Sequence, residues 1–185
     1  MVGAYTISVG ATMFGLSPIA SVLLSMVVCT ILGVVIEKIA YKPLRLASPL
    51  TVLITAIGVS YFLQSTALLI FGSEQRRVAS VITVKGFNLG PIELTGESVV
   101  TLGATTLIMI VLALFINFTK TGKAMLAVSE DRGAAELMGI NVNKTISITF
   151  AVGSMLAAVA GALFVSSYGF VGPYTGALPG IKAFV

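Results

Sequence analysis

Charged and metal-binding side chains are scarce in this sequence. Only 10% of its 185 residues are Asp, Glu, Lys or Arg, whereas 57% are hydrophobic. A soluble domain has about 25% charged residues, so too few polar groups are present to cover the surface of an ordinary soluble fold. The sequence has no His and one cysteine, Cys29, which excludes an intramolecular disulfide and zinc sites built from His or paired Cys. This composition predicts an integral membrane protein.

Two kinds of energy-converting site are also absent from the sequence. No Gly-x-x-x-x-Gly-Lys-Ser/Thr phosphate loop occurs, so we do not expect the chain to hydrolyse ATP. No Asp, Glu, Lys or Arg lies within the four longest apolar segments, and such residues usually mark proton or ion pathways in membranes. We therefore expect a chain that is not an enzyme, binds no cofactor or metal itself, and depends on another subunit for any active transport.

Long apolar runs determine the predicted fold class. A helix needs about 20 mostly apolar residues to cross the hydrocarbon core, and helices pair their own backbone groups there. The sequence predicts an all-α, multi-pass transmembrane helix bundle forming one domain over residues 1–185. Its five predicted helices are residues 1–16, 18–36, 50–71, 99–118 and 146–168. Because the first helix is short and the last residues are apolar, we expect an internal piece of a longer protein, truncated at both ends.

The distribution of basic residues predicts the orientation. Connections 37–49 and 119–145 lie on the same side and carry seven Lys and Arg together, whereas connection 72–98 on the other side carries three. Loops rich in Lys and Arg stay in the cytoplasm. We therefore expect a cytoplasmic loop at 119–145 and a periplasmic loop at 72–98.

Two other stretches allow alternative interpretations. In loop 72–98, β-branched residues, the turn sequence "NLGP" and "IELTGE" are compatible with a short β-hairpin or with an irregular ordered loop. Beyond Tyr168, "GFVGPYTGALPGIKAFV" is too rich in Gly and Pro for a long helix. It is compatible with a broken or re-entrant segment, or with an outer loop.

Mild polarity distinguishes the helix at 50–71. Thr51, Thr55, Ser60 and Gln64 are its candidate pathway-lining residues. The alternative is that these side chains form hydrogen bonds between helices. The sequence alone leaves both interpretations open.

Small residues recur along the helix at 146–168. Gly153, Ala157 and Gly161 are spaced four apart, and Ser154, Ala158 and Ala162 follow the same spacing beside them. This pattern is typical of close helix packing in membranes.

The segment "KAMLAVSEDRGAAELMGINVNKT" (123–145) is unusually polar for this chain. Ser129 is a suitable N-cap and Gly139 a suitable left-handed C-terminal residue. These signals predict a short helix over Glu130–Met138, and Asn143 is expected to cap the next membrane helix.

A helix this short needs packing to be stable. We expect Val128, Ala135 and Met138 to form its apolar side, with its acidic residues exposed to water. It is either a helix lying on the membrane surface or a helix that docks onto a cytoplasmic partner.

The sequence "GAAELMG" resembles the loop that couples permeases of ABC importers to their ATPases. Ala134, Ala135 and Gly139 match that motif, whereas Gly133 stands where the general motif has Glu. The resemblance implies that this segment contacts an ATPase.

A wider resemblance extends along the whole chain. The stretches "YKPLR", "LITAIGVSYFLQS", "GKAMLAVSEDRGAAELMGIN", "AAVAGALF" and "YGFVGPY" resemble permeases of branched-chain amino-acid ABC importers. The resemblance implies a translocation pathway for these amino acids in a bacterial or archaeal cytoplasmic membrane. The coupling residues it implies are Glu130, Asp131, Ala134, Ala135, Gly139, Ile140 and Asn141.

The family resemblance also implies partners. They are a second permease subunit, ATPase subunits that hold ATP and Mg²⁺, and a periplasmic amino-acid-binding protein. Three alternatives remain: a related permease for urea or short amides, a gradient-driven carrier, and a membrane anchor that recruits a cytoplasmic enzyme.

Overall fold

Seven α-helices and four short strands make up the described part of the chain. The computed structural model describes residues 1–13, 15, 17–45, 47–74, 76–77, 87–89, 92–94, 96–177, 180 and 182. The helices are α1 (Val2–Met13), α2 (Pro18–Ile36), α3 (Pro49–Phe71), α4 (Gly96–Phe118), α5 (Lys120–Glu130), α6 (Arg132–Leu137) and α7 (Val142–Tyr168). The strands are β1 (Arg76–Arg77), β2 (Phe87–Leu89), β3 (Ile92–Leu94) and β4 (Phe170–Val171).

Four helical segments are long and apolar enough to cross a membrane. They are Pro18–Leu44, Leu50–Phe71, Ser98–Phe118 and Val142–Tyr168. They confirm the predicted all-α, multi-pass membrane fold. Helix α1 has 12 residues, fewer than the predicted 1–16 and fewer than the ~20 that a membrane span needs.

Proline and glycine determine where several helices begin and end. Pro18 and Pro49 open α2 and α3, where the missing N–H would have no helical partner. Gly72 and Gly169 follow α3 and α7 with φ of 79° and 69°, in the left-handed region that glycine enters without strain. Helix α7 begins at Val142, four residues before the predicted start at Ile146, and its end at Tyr168 is as predicted.

The chain divides into two compact units. The first comprises Met1–Val81 and Ser154–Val185, and the second comprises Ile82–Gly153. The prediction of one domain over residues 1–185 stays a prediction.

Small residues allow α1 to pack closely in the first unit. The Ser25 hydroxyl donates a hydrogen bond to the Gly3 carbonyl at 3.0 Å, and a Cβ placed on Gly3 would lie 3.0 Å from Ala158 Cα. A Cβ on Gly161 would lie 3.3 Å from the Ala4 nitrogen. The packing predicted for the small residues of α7 is therefore present at Ala158 and Gly161. Ala157, in contrast, is exposed in the chain.

The connection after α2 is more helical than the sequence suggested. A π-helical turn, Glu37–Tyr41, and a 3₁₀ turn, Lys42–Leu44, continue the helix. The Glu37 side chain is fully buried and forms an ion pair with Arg45. The sequence analysis took this stretch as a connection because its charged residues interrupt the apolar runs.

Two short antiparallel strand pairs lie outside the helices. In one pair Phe87 lies opposite Leu94 and Leu89 opposite Ile92. A hairpin is therefore present in the described part of this loop, but Asn88 and Leu89 of the predicted turn lie in its first strand. In the other pair, Arg76 lies opposite Val171 and Arg77 opposite Phe170. Residues 78–86 of the predicted hairpin lie outside the described residues.

Candidate coupling surface and pathway residues

Helix α5 is an element that the sequence analysis missed. It begins after Thr119, whose hydroxyl accepts a hydrogen bond from the Gly122 N–H at 2.9 Å. Ser129, predicted as the N-cap of the next helix, lies instead in the last turn of α5. Its hydroxyl donates to the Leu126 carbonyl at 2.6 Å. The signal that could have located α5 is Thr119 itself, since threonine is a favoured N-cap whose hydroxyl accepts from the backbone N–H two or three residues later.

The junction between α4 and α5 has no room for a side chain at Gly122. A Cβ there would lie 2.4 Å from the carbonyl oxygens of Phe115 and Ile116. These are backbone atoms, so they cannot move away as a flexible side chain would. The absence of a side chain at Gly122 therefore allows the start of α5 to lie directly against the end of α4.

Asp131 begins α6. Its Oδ1 accepts hydrogen bonds from the N–H groups of Gly133 at 2.8 Å and Ala134 at 3.1 Å. An acidic N-cap also interacts favourably with the helix dipole. The predicted helix Glu130–Met138 is therefore wrong at its start: Glu130 ends α5, and α6 covers Arg132–Leu137.

Helix α6 ends at the glycine that the sequence analysis predicted as its left-handed C-terminal residue. Gly139 has a φ of +80°, and its N–H donates to the Glu136 carbonyl at 3.0 Å. The Ile140 N–H donates to the Ala135 carbonyl, also at 3.0 Å. This pair of bonds is the Schellman motif, in which the residue after the glycine packs back onto the helix.

Asn141 links the end of α6 to the start of α7. Its Oδ1 accepts from the Lys144 N–H at 3.0 Å, and its carbonyl accepts from the Thr145 N–H at 3.0 Å. Asn141 is therefore the N-cap, and the prediction that Asn143 has this role is wrong. Only four residues, 138–141, separate the two helices.

Burial divides the residues predicted for coupling. Ala135 is 4% exposed and Val128 is also buried, whereas Leu137 is 91% and Met138 83% exposed. Val128 and Ala135 are therefore buried as predicted, but they belong to two helices, α5 and α6, and the prediction is wrong for Met138. We define the coupling surface as the exposed residues Glu130, Asp131, Ala134, Glu136, Leu137 and Met138.

The coupling surface combines two apolar side chains with acidic groups. Leu137 and Met138 follow one another at the C-terminal end of α6, close to the exposed Glu136. An exposed apolar pair among polar residues is typical of a site that contacts another protein or the membrane surface. Sequence reasoning missed Leu137 because "GAAELMG" was compared with a motif defined by its small residues.

The four candidate pathway residues of α3 fall into two groups. A helix turns about 100° per residue, which places Thr51 and Thr55 on the side opposite Ser60 and Gln64. The Thr55 hydroxyl donates to the Thr51 carbonyl at 2.8 Å, so it has a partner within its own helix. The Gln64 amide nitrogen is 3.4 Å from the Ser60 oxygen, which is longer than a typical hydrogen bond.

Ser60 and Gln64 share a cavity of about 250 Å³ in the first unit. Its lining residues are Met1, Val2, Ser60, Leu63, Gln64 and Gly176. Among the described residues, no group of three or more His, Cys, Asp or Glu is placed to hold a metal ion.

The whole chain, residues 1–185, matches the family described as "Branched-chain amino acid transport system / permease component". A named relative is the high-affinity branched-chain amino acid transport system permease protein LivH of Escherichia coli. It is 38% identical over 165 residues, which are 86% of this chain and 53% of LivH.

Two further relatives differ in their named substrates. The Pseudomonas aeruginosa permease protein BraD, also named for branched-chain amino acids, is 36% identical over an alignment that covers the whole chain and 64% of BraD. The fructose import permease protein FrcC of Rhizobium meliloti is 28% identical over 67% of this chain and 34% of FrcC. The chain thus spans about half the length of LivH. No solved structure matches it.

Proposed function

Because the chain belongs to the family of branched-chain amino acid transport permeases, we propose that it forms part of the translocation pathway of an ABC importer for branched-chain amino acids. The importer lies in the cytoplasmic membrane, and a separate ATPase subunit drives it. The observation that carries this proposal beyond family membership is the coupling surface. A short, capped helix presents an exposed apolar pair, Leu137 and Met138, which an ATPase subunit would cover.

The charge distribution supports a cytoplasmic position for this surface. The alternation of predicted spans assigns connections 37–49 and 119–145 to one side of the membrane, and these connections hold seven of the 11 Lys and Arg. ATPase subunits of an importer act from the cytoplasm, so α6 lies on the side where they dock. ATP and Mg²⁺ then belong to those subunits.

The junctions around α5 and α6 are suited to transmit a displacement. Gly122 brings α5 into contact with the end of α4, and Asn141 caps α7 directly after α6. When the ATPase subunits close, a shift of the coupling surface moves α4 and α7 as rigid helices. The importer alternates between outward-open and inward-open states in this way.

The other partners follow from this mechanism. A second permease subunit completes the pathway, and a periplasmic amino-acid-binding protein delivers the substrate to the side of loop 72–98. The composition of the spans is compatible with transport driven by a separate ATPase subunit, because no ionisable residue lies at the centre of α3, α4 or α7.

A co-purification experiment tests the coupling surface. The tagged full-length protein is extracted in a mild detergent, and its partners are identified by mass spectrometry. Wild type is expected to retain an ATPase subunit, and the double variant Leu137→Glu, Met138→Glu to lose it. Glu74→Ala is the matched control, because Glu74 is exposed and lies in connection 72–98, which the sequence predicts on the opposite side.

Uptake measurements with labelled L-leucine, fructose and urea test the substrate class. Leucine uptake that requires ATP and persists with a dissipated proton gradient supports the importer. Retention of fructose or urea alone assigns the chain to another substrate branch. Uptake that collapses when the proton gradient is dissipated, while ATP is maintained, indicates a gradient-driven carrier. If none of the three substrates is transported, the interpretation as a membrane anchor is supported.

A further inference from the structure

The cavity beside Ser60 and Gln64 lies close to the middle of α3. Ser60 is the twelfth of the 23 residues of Pro49–Phe71, and Gln64 follows one turn later. Water is absent from the surrounding hydrocarbon, so a hydroxyl and a primary amide at this depth are unfavourable without polar partners. Their mutual contact of 3.4 Å is too long to satisfy both groups.

A non-helical segment reaches the same depth from the outer end of the bundle. Val171 packs in a buried cluster with Ala67 of α3 and Tyr5 of α1. Gly176, five residues later, lines the cavity with Ser60 and Gln64, one to two turns further into the helix than Ala67. The segment 172–176 therefore runs inward along α3.

Irregular backbone at membrane depth is tolerated where it is buried in protein or lines a polar cavity. Gly172 and Pro173 are buried, and Gly176 lies at the cavity. Broken backbone beside a cavity near the membrane centre is also typical of transporter binding sites. The re-entrant interpretation of this segment fits these positions better than an outer loop does.

The lining of the cavity indicates the chemistry of its ligand. None of the side chains that line it in the described part of the chain is charged, so no side chain there offers a counter-ion to a ligand with net charge. Ser60 and Gln64 can each donate and accept hydrogen bonds, so they can serve an ammonium group and a carboxylate together. Val2 and Leu63 supply an apolar wall on the same cavity.

We propose that this cavity is a transient binding subsite for a zwitterionic amino acid with an aliphatic side chain. Ser60 and Gln64 hold the α-amino and α-carboxyl groups, and Val2 and Leu63 contact the aliphatic part. The volume of about 250 Å³ lies just below the range of ~300–1,000 Å³ for drug-sized ligands, as expected for a small metabolite. The subsite rests on the proposed amino-acid import function and adds the residues that contact the substrate.

Substrate protection of an introduced cysteine tests the subsite in the complete importer, reconstituted in proteoliposomes. Cys29→Ala removes the chain's one cysteine, and Ser60→Cys is added to this background. A charged, water-soluble methanethiosulfonate reagent is expected to label Ser60→Cys, and saturating L-leucine to slow the labelling several-fold. L-lysine at the same concentration is expected to have no effect.

Two further variants distinguish binding from general conformational change. Phe62→Cys is the matched control, because Phe62 is exposed at the same depth on the opposite side of α3. It should show no protection by leucine. Adding Gln64→Leu to the Ser60→Cys protein should raise the leucine concentration for half-protection about tenfold, the effect of one lost hydrogen bond to a charged group.

The outcomes separate the subsite from the function on which it rests. If the wild-type importer moves leucine but Ser60→Cys is unreactive or unprotected, the subsite is wrong and the import function stands. Equal protection of Phe62→Cys also overturns the subsite. If the wild-type importer with its ATPase moves no leucine, the import function itself is wrong. If the Cys29→Ala background lacks uptake, Cys29→Ser replaces it.

Discussion

Two charged connections of the chain differ in whether their acidic side chains are buried or exposed. After α2, Glu37 is fully buried and paired with Arg45, which is itself 16% exposed. Between α4 and α7, by contrast, Glu130, Asp131 and Glu136 are all exposed. In the sequence both stretches are polar connections between apolar segments. In the structure, however, the acidic side chain of the first one, Glu37, is buried.

The difference indicates two separate roles. A buried ion pair contributes little net stability over an apolar pair, but it becomes unfavourable when one partner is lost. The Glu37–Arg45 pair therefore fixes how the chain leaves α2. Of the exposed acids of the coupling surface, Asp131 caps α6, whereas Glu130 and Glu136 contribute less to the fold and remain available to a partner. Substitutions in the two connections should consequently differ in what they change.

The largest effect on stability is expected for Glu37→Gln. The amide has nearly the same shape but leaves Arg45 without its carboxylate. Breaking a buried pair costs about 3–5 kcal/mol, and we expect the lower end because Arg45 is partly exposed. Thermal unfolding in detergent, followed by the reaction of buried Cys29 with a fluorogenic thiol dye, measures the change. The double variant Glu37→Gln, Arg45→Met should recover part of the loss, and no recovery would contradict the ion-pair interpretation.

Gly139→Val is expected to have the next largest effect. Left-handed backbone costs an ordinary residue about 1–2 kcal/mol, and a β-branched residue at the φ of +80° is strained further. Hydrogen exchange of α6 amides should accelerate, and ATPase stimulation by substrate should fall. Gly153→Ala is the control, because Gly153 is helical and a Cβ there meets no atom within 4 Å. If Gly139→Val leaves exchange and coupling unchanged, the glycine stop is unimportant for α6.

The sequence predicted the membrane spans and the glycine at the end of α6 because both depend on local chemistry. A long apolar run has few alternatives to a transmembrane helix, and Gly139 suits a left-handed residue. The start of α6 was misplaced because Ser129 and Asp131 are both good N-caps. Which of them acts depends on where α5 ends, and the sequence analysis did not predict α5, which begins after its N-cap Thr119.

Contacts between residues that are apart in the sequence account for two other features that the sequence analysis missed, the buried ion pair and the cavity. The burial of Glu37 requires Arg45 eight residues away, and no helical periodicity signals such a pair. The separation of Thr51 and Thr55 from Ser60 and Gln64 could have been calculated from helix geometry alone. The cavity could not have been calculated in this way, because one of its lining residues, Gly176, lies far from Ser60 and Gln64 along the chain.

Asp131→Ala is expected to have a moderate effect, confined to the coupling segment. Loss of an N-cap costs about 1 kcal/mol, because the N–H groups of Gly133 and Ala134 lose their acceptor. Hydrogen exchange at these two amides should accelerate while global unfolding changes little. Ser129→Ala is the paired variant, since Ser129 lies inside α5, and should leave both amides unaffected. If Ser129→Ala accelerates exchange at these amides and Asp131→Ala does not, Ser129 is the N-cap and Asp131 is not.

The smallest effect on stability is expected for Glu136→Gln, the same chemical change as Glu37→Gln at an exposed position. Glu136 is exposed, and surface substitutions usually stay within about 0.5 kcal/mol. Because the same carboxylate belongs to the coupling surface, its removal should weaken retention of the ATPase at low salt and have less effect at high salt, where surface charges are screened. Thermal unfolding and salt-dependent co-purification, measured on the same preparation, separate the two contributions. A stability loss as large as that of Glu37→Gln would mean that Glu136 is part of the fold and that the two connections do not differ as proposed.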